Sequence, residues 1–202
     1  MHHYGNMNNF EITNIFKVQR KGEAELISNF KEVPNHYLLF HGSMMYNFIG
    51  ILSQGLKIAP PEAPTTGYMF GKGVYFADMF DKSFAYAARG YQQQDSYLML
   101  MCEVVLGKSK ELYQAEYVEK LEHPYHSVKG CGQRGPGYKH TITLPNGVKI
   151  PYGPVINYHE NNPDMQRKMA LQHNEYIVYN TSQIRMRYVV QIGKKKEKVK
   201  KA

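Results

Sequence analysis

The chain has 202 residues, of which 43% are hydrophobic, and a formal net charge of +8. This composition excludes a disordered chain and is typical of one sizeable domain with its own core. The charge is concentrated at the end: residues 194–202, KKKEKVKKA, hold six lysines and one glutamate, which is 6 − 1 = +5. The body therefore carries about +3, which is ordinary and does not indicate a nucleic-acid-binding surface.

Cys102 and Cys131 are the two cysteines of the chain and cannot build a disulfide framework. Cys102 lies in an apolar run and Cys131 in a Gly-rich stretch, and neither has the spacing of metal ligands. The sequence shows no signal peptide and no apolar run of the roughly 20 residues needed to cross a bilayer. We therefore expect a reducing, intracellular environment and no metal.

In chain order, the residue pattern predicts a strand-rich domain with a few short helices. It predicts strands at 10–20 and 36–41, a helix at 47–56, a Pro- and Gly-rich loop at 60–73, a strand at 74–78, a helix at 82–89, a strand at 97–107, a hairpin turning at Asn146 and Gly147, a polar loop at 158–168, and closing strands from Glu175 and Gln183. Regular helices of crossover length do not separate the strands. An antiparallel α+β fold is therefore predicted rather than a parallel doubly wound one.

Glu175 begins the apolar strand EYIVY. Alternation along a strand places Glu175, Ile177 and Tyr179 on one face, and Tyr176 and Val178 on the other. Neither face is suited to water. A carboxylate removed from water costs several kcal/mol unless it is paired or hydrogen-bonded, so Glu175 needs either a partner or a chemical role.

The Gly-rich stretch GYMFGKGVYF does not match a phosphate-binding loop. Only three residues separate Gly67 from Gly71, and Lys72 is followed by Gly73 rather than by Ser or Thr. Three glycines in a short loop still indicate that backbone comes close to something. Tight packing against another strand is favoured over contact with a ligand.

Two further groups of residues each have a structural and a functional interpretation. In HGS, Ser43 can cap a helix while His41 is satisfied in the core, or Gly42 can offer its backbone to a planar amide while His41 donates to a sugar hydroxyl. Tyr75 and Tyr86 can be core residues or can sandwich a flat heterocycle, with Lys82 and Ser83 at the mouth, in the turn between them.

Read together, HGS, the stretch GILSQGLKIAPPEAPTTGYMFGKGVYFADMFDKSFAYA and the motif NEYIVY closely resemble the catalytic domain of poly(ADP-ribose) polymerases, the NAD-consuming ADP-ribosyltransferases. The match is densest from His41 to Tyr86 and extends from about Phe10 to about Ile192. It is most similar to the DNA-damage-responsive members. The resemblance implies an ADP-ribosyltransferase fold around an NAD cleft, with one catalytic domain at 1–193 and a basic disordered tail at 194–202.

The resemblance also implies the site residues. The catalytic triad falls on His41, Tyr75 and Glu175, the nicotinamide carboxamide on the Gly42 backbone and the Ser83 hydroxyl, and the nicotinamide ring between Tyr86 and Tyr75. His41 is implied to bind a ribose hydroxyl at the adenosine end, and Lys57 replaces an expected arginine. The NAD-binding residues implied are His41, Gly42, Ser43, Asn47, Lys57, Gly73, Tyr75, Phe76, Ala77, Lys82, Ser83 and Tyr86.

This resemblance gives Glu175 a chemical role. Breaking the bond between nicotinamide and ribose builds positive charge on the sugar, which a preorganised anion stabilises. Nicotinamide leaves without acid because its nitrogen is already cationic. The expected activity is NAD-dependent transfer of ADP-ribose to proteins with elongation of poly(ADP-ribose); transfer of single units, or a non-catalytic NAD- or ADP-ribose-binding module, are the alternatives.

Two departures from the family bear on specificity. The chain has no room for the helical regulatory domain that precedes the catalytic domain in DNA-responsive members, and His173 stands where a tyrosine is expected, near the acceptor surface. A surface histidine without a functional role explains that position at least as well. Expected partners are protein acceptors, including automodification, and nucleic acid through Lys194–Lys201. A nuclear location is expected.

Overall fold

Residues 9–60, 62, 67–89 and 95–195 are described in a computed structural model of the chain, and this part contains thirteen strands and four α-helices. The strands are β1 Phe10–Lys17, β2 His36–Gly42, β3 Val74–Phe76, β4 Ser96–Val105, β5 Ser109–Leu112, β6 Ser127–Gly130, β7 Gly132–Pro136, β8 Ile142–Thr143, β9 Lys149–Ile150, β10 Val155–Asn157, β11 Leu171–His173, β12 Glu175–Val178 and β13 Ile184–Lys194. The helices are α1 Glu23–Ser28, α2 Phe48–Gln54, α3 Phe80–Ala87 and α4 Pro163–Lys168.

The strands form three sheets. A six-stranded sheet has the order β1-β13-β4-β2-β9-β8, a four-stranded sheet β3-β12-β6-β5, and a three-stranded sheet β10-β7-β11. Most neighbours are antiparallel, but β2 with β9, β5 with β6 and β7 with β11 are parallel. The α+β class is confirmed, and the antiparallel prediction holds for the main pairings only.

Three predicted boundaries differ from the structure. The polar segment 158–168, predicted as loop, contains α4, whose first turn is capped by Asn162 Oδ1 accepting from the Met165 N–H at 3.1 Å. The helix predicted at 82–89 begins at Phe80, so Lys82 and Ser83, which were also expected in the turn before it, lie inside α3. β13 continues to Lys194, one residue into the predicted tail, and residues 196–202 lie outside the described residues.

Both faces of β12 pack against protein, as the sequence predicts. Tyr176 and Val178 belong to the largest buried cluster, with β2, β4 and β13. Ile177 packs on the other side with Phe70 and Val128. Glu175 therefore starts a strand that has apolar contacts on both of its faces.

The described residues contain neither a membrane-spanning helix nor a cluster of metal-ligating side chains. None of their helices is long and apolar enough to cross a membrane. They also contain no group of three or more His, Cys, Asp or Glu side chains placed to hold a metal ion.

Candidate active site

A pair of hydrogen bonds joins the six-stranded sheet to the four-stranded sheet. Phe40 N–H donates to the Ala77 carbonyl and Ala77 N–H donates to the Phe40 carbonyl, each at 2.9 Å. Because Phe40 precedes His41 and Ala77 lies just beyond β3, this bridge brings His41 beside Tyr75. β12 pairs with β3 so that Ile177 lies opposite Tyr75. Strands distant in sequence thereby converge, with α3 following directly.

His41 is fixed in one tautomer. Its Nδ1 lies 2.8 Å from the Tyr75 carbonyl oxygen, and since a carbonyl only accepts, Nδ1 carries the hydrogen. Burial lowers the pKa of the His41 imidazole, which favours the neutral ring. A neutral ring with hydrogen on Nδ1 presents Nε2 as an acceptor. The structure thus differs from the sequence expectation, because a sugar hydroxyl would donate to His41 rather than accept from it.

Gly42 lies where the backbones of β2 and α3 touch. A Cβ at this position would be 1.7 Å from the Ser83 carbonyl oxygen. Ser83 is buried, and its Oγ donates to the Phe40 carbonyl at 3.1 Å. The two residues predicted to hold the carboxamide are therefore neighbours, although the Ser83 hydroxyl already has an acceptor in the protein.

We predict that Gly42→Ala forces β2 and α3 apart. The overpacked contact should lower the free energy of unfolding by about 1–3 kcal/mol and weaken NAD binding, since Ser83 moves with the helix. Urea unfolding and calorimetric titration with NAD would measure both effects. Gly50→Ala in α2 is the control, because a Cβ there meets nothing within 4 Å and should be neutral or stabilising by about 0.5–1 kcal/mol. Equal stability of the two variants would contradict the close contact at Gly42.

Tyr75 is tied to the Gly-rich loop. Its hydroxyl donates to the Gly71 carbonyl at 2.8 Å and accepts from the Phe70 N–H at 3.1 Å. Gly71 has φ of +87°, and a Cβ there would be 2.0 Å from the Val118 carbonyl oxygen. A Cβ on Gly73 would be 2.4 Å from Ile177 Cγ2. Tight packing against a strand, the favoured interpretation, is therefore confirmed at Gly73. Gly71 packs closely against a segment outside the strands, and a Cβ on Gly67 would meet nothing within 4 Å in the described part of the chain.

Glu175 has a partner that sequence reasoning did not find. It is 6% exposed, and its carboxylate forms an ion pair with the Lys82 ammonium. Burial alone would lower the pKa of Lys82, but the adjacent Glu175 carboxylate outweighs this and the net pKa is raised. Lys82 thus stays cationic at neutral pH and holds the carboxylate by charge.

α3 presents two site residues on one face. Lys82 and Tyr86 are four residues apart, and the Lys82 ammonium lies 5.5 Å from the centre of the Tyr86 ring. Tyr86 is 38% exposed, and the Arg89 guanidinium also lies over its ring, 4.7 Å from the ring centre. Stacking of nicotinamide between Tyr86 and Tyr75 stays a prediction.

The outer residues of the predicted site make local contacts. Asn47 Nδ2 donates to Ser43 Oγ at 2.9 Å, so Ser43 does not cap α2, and the exposed Lys57 donates to the Gln54 side chain. Phe76 is buried with its ring 5.6 Å from that of His41. Contact of Ser43, Asn47, Lys57, Gly73, Phe76 and Ala77 with NAD stays a prediction.

His173 belongs to a different sheet from Glu175. It ends β11 and pairs with Arg134 of β7, and at Asn174 the chain leaves that sheet for β12. His173 is therefore not part of the strand that Glu175 begins. Burial, and then the charges of Arg134 and Lys82, lower the pKa of His173, so its ring is favoured as neutral at this edge of the site.

Two other contacts escaped sequence reasoning. The Tyr68 ring lies 6.3 Å from the Tyr75 ring, and the only signal for it was an aromatic residue in a Gly-rich loop. Asp78 was predicted only as the last residue of a strand. Its buried carboxylate accepts hydrogen bonds from Asn174 and Tyr176, the residues on either side of Glu175.

These features place a histidine, an aromatic ring and an ion-paired carboxylate on adjoining elements, as expected for the ADP-ribosyltransferase class. The family model for the poly(ADP-ribose) polymerase catalytic domain matches residues 1–194. The chain is 48% identical over 182 residues to poly(ADP-ribose) polymerase 1 of Danio rerio, and 47% identical over 179 residues to poly(ADP-ribose) polymerase of Drosophila melanogaster. It is 47% identical over 186 residues to poly(ADP-ribose) polymerase 2 of Zea mays.

The chain therefore belongs to the family of poly(ADP-ribose) polymerase catalytic domains. The three alignments cover 90%, 89% and 91% of this chain, but only 17%, 17% and 27% of the respective relatives. The chain thus spans about a sixth to a quarter of the length of these relatives. The resemblance seen in the sequence, and the fold class that it implies, are confirmed.

Proposed function

We propose that this domain transfers ADP-ribose from NAD to protein acceptors with release of nicotinamide, and that it elongates poly(ADP-ribose) chains. The observation that carries the proposal is the buried Glu175 carboxylate, ion-paired with Lys82 at the start of β12 and next to β3. Membership of the family supports the same reaction.

The residues present fit NAD as co-substrate. Tyr86 is 38% exposed and would stack on nicotinamide in place of the Arg89 guanidinium that now lies over its ring. His41 Nε2 can accept from a ribose hydroxyl, and a cationic nicotinamide suits a site with a fixed carboxylate. When bound, NAD supplies the ADP-ribose and the leaving nicotinamide. Glu175 would stabilise developing positive charge and accept a hydrogen bond from the incoming acceptor hydroxyl, helping to deprotonate it.

The product distinguishes the proposal from its alternatives. We expect the 202-residue chain, incubated with labelled NAD, to give a high-mass smear on a gel, with repeating ADP-ribose units by mass spectrometry. Discrete single additions would exclude elongation and leave a mono-ADP-ribosyltransferase. Measurable NAD binding without nicotinamide release would indicate a binding module.

The proposal extends to the partners and the location of the protein. Protein acceptors, automodification and a nuclear location rest on family membership and on the lysines from Lys194 onwards. Nucleic-acid binding through Lys194–Lys201 stays a prediction. It would be supported by salt-dependent binding that disappears on deleting the residues after Gly193.

A further inference from the structure

Asp78 contacts the residues on both sides of Glu175. It follows β3, is 6% exposed, and uses a single oxygen, Oδ2, as acceptor for two hydrogen bonds. Asn174 Nδ2 donates to it at 2.8 Å and the Tyr176 hydroxyl donates to it at 3.0 Å. One carboxylate oxygen therefore holds the residue before Glu175 and the residue after it.

Asn174 connects these hydrogen bonds to a second sheet. It is 1% exposed, and its Oδ1 accepts from the Gly132 N–H of β7 at 2.9 Å. Asn174 is also the residue at which the chain passes from β11 into β12. Its side chain thus fixes the corner from which Glu175 projects, and Asp78 fixes the orientation of that side chain.

Tyr176 is a buried core residue that also borders a pocket. Side chains alternate along β12, so Tyr176 points away from Glu175. On that side lies a cavity of about 330 Å³ that has Tyr176, Asp78 and Tyr37 among its walls. Protein atoms are missing on the cavity side, so packing alone constrains this part of β12 less than a filled core would.

Asn174 and Tyr176 are the two side chains of the described residues that hydrogen-bond to the Asp78 carboxylate. Its second oxygen, Oδ1, is buried and has no hydrogen-bond partner there. Burial raises the pKa of this carboxyl, which shows that its position is unfavourable for a charge. The backbone before it is already fixed, because Ala77 exchanges two hydrogen bonds with Phe40. What the carboxylate adds is the connection to β12.

We propose that Asp78 is a positioning residue that holds Asn174 and Tyr176 so that the Glu175 carboxylate stays beside Lys82. The proposal rests on the proposed function, because Glu175 is taken to be the catalytic carboxylate. Asp78 would not touch NAD itself.

The test compares nicotinamide release by the 202-residue chain and its Asp78→Ala variant. Glu175 displaced by about an ångström should lower kcat about 10- to 100-fold, while KM for NAD changes less than about threefold, because α3 and β2 keep their places. Asp78→Asn should recover most of kcat, since its amide oxygen can accept both hydrogen bonds.

Glu23→Ala controls for lost stability. Glu23 is equally buried at 6% exposure, accepts from the Met186 N–H at 2.9 Å and lies on α1, outside the site. This variant should unfold more easily and keep its kcat. An equal loss of kcat in Glu23→Ala, or a rise in KM alone for Asp78→Ala, would overturn the proposal.

A double variant shows whether Asp78 acts through Glu175. In single-turnover measurements, Asp78→Ala should lower the rate of Glu175→Gln by less than about twofold; the same 10- to 100-fold loss as in wild type would refute the mechanism. Hydrogen exchange separates this proposal from the proposed function. Even if wild type releases no nicotinamide, faster amide hydrogen exchange confined to residues 171–179 in Asp78→Ala supports the positioning role of Asp78. Unchanged exchange refutes that role.

Discussion

Glu175→Gln is expected to lower the rate of nicotinamide release by about 10²- to 10³-fold, with little change in KM for NAD. The amide keeps the size and the hydrogen-bonding reach of the side chain but removes the negative charge. That charge matters most where positive charge develops during the reaction, so its loss should appear in kcat. The high-mass products of wild type should collapse to single additions or disappear.

A matched variant separates charge from stability. Glu103 is another buried carboxylate, with Oε2 2.6 Å from Arg187 Nη1 and Oε1 3.3 Å from His36 Nδ1. Glu103→Gln should lower the unfolding midpoint, since it also leaves a cation without its partner, but it should retain kcat. If Glu175→Gln releases nicotinamide as fast as Glu103→Gln, Glu175 does not carry the reaction.

Local patterns predicted much of the framework. Alternation of apolar residues placed Tyr176 and Val178 on one face of β12 and Ile177 on the other, and Gly55, with φ of +85°, ends α2 as expected. Such features depend on neighbours in sequence and are therefore readable from it.

The missed elements depend on distant pairing. β5, β6 and β7 have the sequences SKEL, SVKG and GQRGP, which are weak strand formers, and they become strands because β6 pairs with β12 and β7 with β10 and β11. Tertiary contacts override local propensity there. α4 had a local signal, Asn162 followed by Pro163, which the polar composition of the segment concealed.

The candidate site likewise has some features that the sequence predicts and others that depend on the fold. His41, Tyr75 and Glu175 were predicted as the triad through a family resemblance whose motifs are contiguous in the sequence. The ion pair of Glu175 with Lys82 joins β12 to α3, and no periodicity or spacing links such elements. The tautomer of His41 likewise follows from a contact with the Tyr75 backbone, which only the fold reveals.

Lys82→Met is expected to impair both catalysis and stability. The ammonium is the ion-pair partner of Glu175, whose side chain is 8% exposed while that of Lys82 is 21% exposed. Removing the cation leaves a buried negative charge without a partner and frees the carboxylate to change its rotamer. We expect kcat to fall about 10- to 100-fold and the free energy of unfolding to fall by about 1–3 kcal/mol, after allowance for partial exposure of the lysine.

The raised pKa of Lys82 sets the pH dependence of this stability. The folded pKa lies above its ordinary value of 10.5 because the Glu175 carboxylate outweighs the opposing effect of burial. The folded state then binds the proton more tightly, so the contribution is fully present below about pH 10.5 and is lost as the pH rises through the folded pKa. Urea unfolding of wild type and Lys82→Met should therefore differ by a constant amount near neutral pH, and by less in strong alkali.

Lys82→Arg distinguishes the role of the charge from that of the lysine geometry. Arginine keeps a cation opposite Glu175 and should restore most of the lost stability, whereas kcat should recover only in part because a planar guanidinium holds the carboxylate in a different orientation. A Lys82→Met variant with wild-type kcat would show that apolar packing of β12 suffices to orient Glu175. A stability difference that grows in alkali would contradict the ion pair itself.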